Sequence, residues 1–146
     1  MIEIRRAVES DLPAIAEIQE SAPEAAHWRA REYLDQDCLV AVVENRLAGF
    51  LVCRAVADDE REVLNIAVHP DFRRQGIATA LLEQECNRNL ADYFLEVRAS
   101  NQAARAFYTL MGFTEAGVRQ MYYDDPPESG IVMKRGSCYR HIVRRP

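Results

Sequence analysis

From Val63 to Gly112 the sequence switches twice from strand-like to helix-like patterning, which confines the chain to a sheet with helices packed on it. Val63-Leu64-Asn65-Ile66-Ala67-Val68 is a strand that ends at His69-Pro70-Asp71, where Pro70 cannot donate to a ladder. A helix runs from about Gly76 to Leu90, with Ile77, Leu81 and Leu82 inward. Tyr93 to Val97 is a buried strand. Ser100 then caps a helix that stops at Gly112, a natural left-handed residue after a helix end. Upstream, Ile2 to Arg6 is a short strand. Ser10 caps a helix with Pro13 in its first turn and Leu12, Ile15 and Ile18 on one stripe. Pro23 opens a second helical stretch through Trp28, Tyr33 and Leu34. Cys38–Val43 and Leu47–Val56 form an antiparallel hairpin around Glu44-Asn45-Arg46, and Phe113–Tyr122 and Gly130–Met133 supply the last strands. The predicted fold is mixed α/β.

Length and charge narrow the function classes. A chain of 146 residues lies within the span of about 100 to 200 residues typical of one domain. Residues 1–133 carry 13 basic and 23 acidic side chains, a net −10; the segment after Met133 adds Lys134, Arg135, Arg140, Arg144 and Arg145 and no acid. An acidic body disfavours duplex DNA, whose affinity comes mostly from phosphate contacts, and suits a cationic partner. Residues 135–146 read as a basic tail, either a solvated segment or a binding one. No run approaches the about 18 apolar residues of a membrane span. Met1-Ile2-Glu3-Ile4-Arg5-Arg6 lacks a signal peptide's apolar core, so the expected address is the cytoplasm. Cys38, Cys53, Cys86 and Cys138 form no C-x-x-C pair, and His27, His69 and His141 are scattered. No zinc-ligand spacing results, no metal is expected, and Cys38, Cys53 and Cys86 read as core thiols.

Three groups of residues carry chemistry. Arg73-Arg74-Gln75-Gly76-Ile77-Ala78 lies between a strand and a helix. Backbone N–H groups at a helix start form an anion site, Gly76 admits close approach, and the two arginines add positive charge. The pattern fits a pyrophosphate, without the Gly-Lys-Ser/Thr of a Walker loop or the three glycines of a dinucleotide fingerprint. The alternative is an ordinary helix start with solvated arginines. The second group is Asn101-x-x-Ala104-x-x-x-Tyr108-x-x-x-Gly112-Phe113. At about 100° per residue, Ala104 and Tyr108 fall within roughly 60° of Asn101, so one helix face presents an amide, a gap and a phenol. Phe107, Leu110 and Met111 point elsewhere and read as core; the alternative for Tyr108 is a buried tyrosine with a satisfied hydroxyl. The third is Glu96 in Phe94-Leu95-Glu96-Val97-Arg98, a carboxylate in an apolar strand that must be paired or used. Arg98 shares its strand face, so a structural Glu96–Arg98 ion pair is the alternative.

Together these elements resemble, in content and order, the GNAT acetyltransferases. Arg73-x-x-Gly76-x-Ala78 matches their Gln/Arg-x-x-Gly-x-Gly/Ala pattern, and Asn101 to Phe113 matches their helix pattern in full. Asn65-Ile66-Ala67-Val68-x-Pro70, Arg74-Gln75-Gly76, Leu95 to Asn101 and Tyr122-Tyr123 bring the chain nearer the bacterial ribosomal-protein-alanine N-acetyltransferases. The likeness spans residues 2–134 and is dense over 63–123. It is weaker at Ala26-His27-Trp28, where that group usually has Phe-Pro-Trp.

The resemblance implies a single domain over residues 1–134, with a mostly antiparallel sheet covered by helices on both faces. It implies acetyl-CoA as co-substrate and no metal. The backbone of Ile66, Ala67 and Val68 would pair with the pantetheine arm. Arg74, Gln75, Gly76, Ile77, Ala78 and Thr79 would wrap the pyrophosphate, and Asn101 would hold the arm. Glu96 would be general base and Tyr108 general acid. The acceptor would be the N-terminal α-amine of a protein, most closely an N-terminal alanine of a small-subunit ribosomal protein. A small-molecule amine is the alternative acceptor, and a non-catalytic acyl-CoA-binding module the alternative of another class. A terminal amine with pKa about 7.7 to 8.0 is about one-tenth neutral at pH 7, whereas a lysine near 10.4 needs about 3.5 kcal/mol more deprotonation work. A phenol near pKa 10 can protonate the leaving thiolate.

Overall fold

The computed structural model describes residues 1–22, 29–124 and 127–137. The predicted helical start at Pro23, the Ala26-His27-Trp28 segment, Cys138 and most of the basic tail lie outside them. Seven strands, β1 (Glu3–Arg6), β2 (Asp37–Val43), β3 (Arg46–Ala57), β4 (Glu60–Val68), β5 (Asp92–Arg98), β6 (Thr114–Asp124) and β7 (Pro127–Arg135), form a sheet of order β1-β2-β3-β4-β5-β7-β6. The β1–β2, β2–β3, β5–β7 and β6–β7 pairs are antiparallel, and β4 pairs with β5 in parallel through Glu60–Asp92, Arg61–Tyr93 and Glu62–Phe94. Among the described residues three α-helices accompany them: α1 (Leu12–Glu20), α2 (Ile77–Arg88) and α3 (Gln102–Leu110). The fold is mixed α/β with a mostly antiparallel sheet. No helix among the described residues is long and apolar enough to cross a membrane.

The chain divides into two compact units. The first, residues 1–54 and 63–89, buries both faces of β2 and β3. Alternate strand residues face opposite ways, so the register pair Val40–Phe50 faces α1, whose Ile15 and Ile18 join its cluster with Tyr33 of the 3-10 segment Ala30–Asp35. The pair Ala41–Gly49 faces the other way, toward Ile77 and Leu81 of α2. Glu44 and Asn45 turn the β2–β3 hairpin with φ of 50° and 64°, the left-handed pair that matches strand twist. Cys38, Cys53 and Cys86 are buried and in no disulfide, and burial pushes the Cys38 thiol up to about 12. Iodoacetamide is therefore expected to spare Cys38 in the native protein and to reach all four cysteines after non-reducing denaturation, as read by mass spectrometry. A pair protected after denaturation would contradict this.

The second unit, residues 55–62 and 90 onward, holds β5, β7 and β6 with α3. Tyr93, Leu95, Val97, Ile131 and Met133 are buried on one face of β5 and β7. Gly112 closes α3 at φ 96°, and Phe113 behind it is buried against Tyr108, their rings 5.4 Å apart edge to face.

Three local expectations are corrected. Ser10 lies inside a 3-10 turn, Glu9–Asp11, and Asp11 is the residue that precedes α1. The Asp11 carboxylate receives two bonds from Arg5, at 2.8 and 2.9 Å, and one from the Val8 N–H at 2.8 Å. These bonds, Arg5 first, hold it below the usual carboxylate range. Asn101, not Ser100, caps α3: its Oδ1 accepts the Ala104 N–H at 3.1 Å. Leu110 is 82% exposed rather than core, because it stands about 200° around the helix from Tyr108, which is 6% exposed and takes the inward position.

Candidate active site

The site residues fall into two groups, one in each unit. In the first unit, Phe72 ends the short 3-10 segment Pro70–Phe72 that follows β4, and the chain enters α2 through Arg73, Arg74, Gln75 and Gly76. All four of these residues are exposed. Arg74 has φ 64° and Gly76 φ 77°. A left-handed arginine costs about 1 to 2 kcal/mol. Such conformations turn successive N–H groups toward one side, a concavity suited to an anion. Gly76 is also the residue from which α2 starts, so its neighbours at the helix N-terminus add unpaired N–H groups and the positive end of the dipole. A Cβ at Gly76 would meet no atom within 4 Å, so the space beside it is open.

Two features hidden from sequence patterning hold this group in register. Gly49 is the first. A Cβ there would stand 2.9 Å from the Ala67 carbonyl oxygen and 3.0 Å from Ile77 Cγ2. Its absence lets the start of α2 close against β4 at Ala67. A glycine inside the apolar run Leu47–Val56 was the available signal. The second is a buried amide–phenol cluster. Asn65 Nδ2 donates to the Tyr33 hydroxyl at 3.0 Å and to Gln19 Oε1 at 3.3 Å, and the Tyr33 hydroxyl donates to Gln19 Oε1. The cluster ties β4 to α1 just before Ile66, Ala67 and Val68. Asn65 was legible as a polar residue inside an apolar strand; its partners, 32 and 46 residues away, were not.

The pyrophosphate expectation yields a direct test. Gly76→Asp is expected to weaken acetyl-CoA binding at least about tenfold, or about 1.4 kcal/mol, by calorimetry. Gly76→Ala is the control, because it carries the strain of φ 77° without the charge. Unchanged binding by folded Gly76→Asp would remove the turn from the site.

In the second unit Glu96 lies on β5 in register with Val132 of β7, and Val132 pairs with Gly117 of β6. The next row on the same face is Arg98, Gly130 and Arg119. Arg119 reaches across and donates to Glu96 Oε1 at 2.8 Å. Glu96 Oε2 is buried and has no hydrogen-bond partner among the described residues. Arg98 instead pairs with Glu128 at 3.3 Å and lies over the Tyr123 ring, 4.4 Å from its centroid. The Glu96–Arg98 ion pair is thus replaced by two pairs of alternating sign, Glu96–Arg119 and Arg98–Glu128. Glu128 also accepts the Ser100 N–H at 2.7 Å, and the Ser100 bonds and then Arg98 hold its carboxyl below the usual range. That contact ties β7 to the residue before the α3 cap. Asn101 spends its Oδ1 on the cap, a bond that does not use its amide N–H donors. Tyr108 sits two turns along, buried beside Phe107 and Phe113.

One unit therefore presents a left-handed turn at a helix start beside a strand; the other presents a carboxylate whose Oε2 has no hydrogen-bond partner among the described residues, and a helix bearing an amide and a phenol. Among the described residues no three His, Cys, Asp or Glu side chains gather as a metal site.

Residues 3–113 match the acetyltransferase (GNAT) family, a span that takes in both units. The [ribosomal protein bS18]-alanine N-acetyltransferase of Escherichia coli strain K12 is 38% identical over 135 residues, covering 85% of this chain and 90% of that protein. The crystal structure of the Escherichia coli ribosomal-protein-S18-alanine N-acetyltransferase gives a TM-score of 0.79 at 34% identity, covering 92% of this chain and 93% of that one. Naa20 of Chaetomium thermophilum, solved with a bisubstrate analogue, shares the fold with a TM-score of 0.84 at 22% identity, over 98% of this chain and 90% of that one. On the family match, the relative and the fold alike, this chain belongs to the GNAT family of acetyltransferases.

Proposed function

We propose that the protein transfers the acetyl group of acetyl-CoA to the N-terminal α-amine of a protein in the cytoplasm, with an N-terminal alanine of a small-subunit ribosomal protein as the acceptor. The observation that carries this reading is Glu96, a carboxylate with one oxygen held by Arg119 and the other buried without a hydrogen-bond partner among the described residues. An unsatisfied buried acceptor is costly, and an incoming ammonium would satisfy it. The acceptor follows the Escherichia coli relative's own.

In this reading residues 1–134 act as one acetyltransferase domain. The N–H groups of Arg74, Gln75, Gly76, Ile77, Ala78 and Thr79 hold the pyrophosphate. The main chain of Ile66, Ala67 and Val68 pairs with the pantetheine arm, leaving an N–H for the thioester oxygen, and the Asn101 amide donates to the arm. Glu96 takes the ammonium proton, directly or through water. The neutral amine attacks the thioester carbon, the C–N bond forms and the C–S bond breaks. Tyr108 gives its proton to the departing thiolate, and the second proton shed by the nitrogen as the amide forms restores the phenol. No covalent enzyme intermediate is needed, so the buried thiols take no part.

The test is acetyl transfer from acetyl-CoA to a library of short peptides that differ in their first four residues, with spermidine and an aminoglycoside alongside. Fastest transfer to an alanine-initiated peptide is expected. Transfer to the small amines with none to any peptide would overturn the acceptor class.

A further inference from the structure

Arg119 has no assigned part in the reaction, yet it makes the hydrogen bond that orients Glu96. We infer that Arg119 is a positioning residue: it fixes Glu96 Oε1 so that Oε2 is the oxygen turned to the acceptor amine. The inference rests on the reading of Glu96 as general base. Three observations support it.

The first is reach. β7 lies between β5 and β6, so Arg119 and Glu96 stand two strands apart, about 10 Å across the sheet. Arg119 is in register with Gly130, and the row beside it ends in Gly117. With no side chain at Gly130, the Arg119 stem can lie across β7 and deliver its guanidinium to Glu96 at 2.8 Å.

The second is asymmetry. Arginine commonly grips both oxygens of a carboxylate, but the Arg119 bond to Glu96 runs to one oxygen. It holds Oε1, while Oε2 is buried without a partner among the described residues. A carboxylate held at one oxygen keeps its plane and its rotamer while offering the second oxygen for proton transfer.

The third is exposure. The Arg119 side chain is 55% exposed and that of Glu96 15%. The arginine end of the pair is open to solvent, which screens the attraction and lowers its contribution to stability. A stabilising role explains this contact poorly, whereas orientation of one carboxylate needs only the geometry. Arg98 cannot substitute for Arg119, since Glu128 and Tyr123 already engage it.

The experiment is a double-mutant cycle on the full chain, with the acceptor being the library peptide that the wild-type enzyme acetylates fastest. Arg119→Met keeps much of the stem and removes the donors. It is expected to lower kcat by about 10- to 100-fold, the scale of a misplaced catalytic group, with unchanged melting temperature and KM for acetyl-CoA. Arg119→Lys should recover part of the loss. In a Glu96→Gln background, Arg119→Met should cost no further factor, because the base it orients is gone. A full-rate Arg119→Met beside a slow Glu96→Gln would overturn the positioning role and leave Glu96 as base. An undiminished loss in the Glu96→Gln background, or a raised acceptor KM at normal kcat, would also overturn it. A full-rate Glu96→Gln would overturn the underlying reading instead.

Discussion

Glu96→Gln is expected to lower turnover by about 10²- to 10⁴-fold at neutral pH, the range of general base catalysis, while acetyl-CoA affinity stays at the wild-type level. The substitution is nearly isosteric, and the Gln oxygen can still accept the Arg119 bond, so the β5–β7–β6 face should keep its geometry. What disappears is the second carboxylate oxygen, the one buried without a hydrogen-bond partner among the described residues. The sign with pH follows from the acceptor. Below its pKa of about 7.7 to 8.0 an α-amine is mostly ammonium and needs a base, whereas above that range it is neutral unaided. The deficit should therefore shrink as pH rises toward about 9.5. Single-turnover rates across that range, alongside calorimetric acetyl-CoA binding, provide the check. Wild-type turnover at neutral pH would return Glu96 to a purely structural place in the Arg119 pair.

Tyr108→Phe should slow the chemical step by about 10²-fold or more, if the phenol protonates the departing thiolate. The substitution removes one oxygen and retains the ring, and so retains the edge contact with Phe113 at 5.4 Å. Only one hydrogen bond is at stake for stability, worth about 1 kcal/mol. Cofactor affinity should change little, because the proton is given in the transition state. A buried tyrosine with no chemical role predicts the opposite: a lower melting temperature with normal turnover in the folded fraction. Melting temperature and single-turnover rate on one preparation separate the two, and a full-rate, destabilised variant would strike Tyr108 from the mechanism.

Most of the scaffold was legible because its signals are local. Strand and helix periods placed β1 to β5, α2 and α3 within a few residues. The left-handed residues at Gly76 and Gly112, and the turn after Val43, follow from backbone sterics that depend on neighbours in the chain. The turn from Arg73 to Gly76 belongs with them, since a helix start and its preceding loop are continuous in sequence. The cap readings fell one residue early. Ser10 and Ser100 have the right chemistry, but Asp11 and Asn101, one residue on, immediately precede α1 and α3, and Asn101 makes the side-chain cap bond of its helix.

The partner of Glu96 belongs to a different order of information. Arg98 was the nearest cation along the strand, and chain spacing favoured it. The strand order β5-β7-β6 places a later strand between β5 and β6, and its Gly130 opens the path by which Arg119 crosses to Glu96 while Glu128 takes Arg98. The same holds for Asn65, whose hydrogen bonds come from α1 and the 3-10 segment before β2, and for Gly49, whose missing Cβ matters only once Ile77 and Ala67 close on it. Backbone conformation is governed by adjacent residues and so can be read along the chain. The partner of a buried polar group is set by sheet register and strand insertion, long-range pairings that spacing along one strand does not encode.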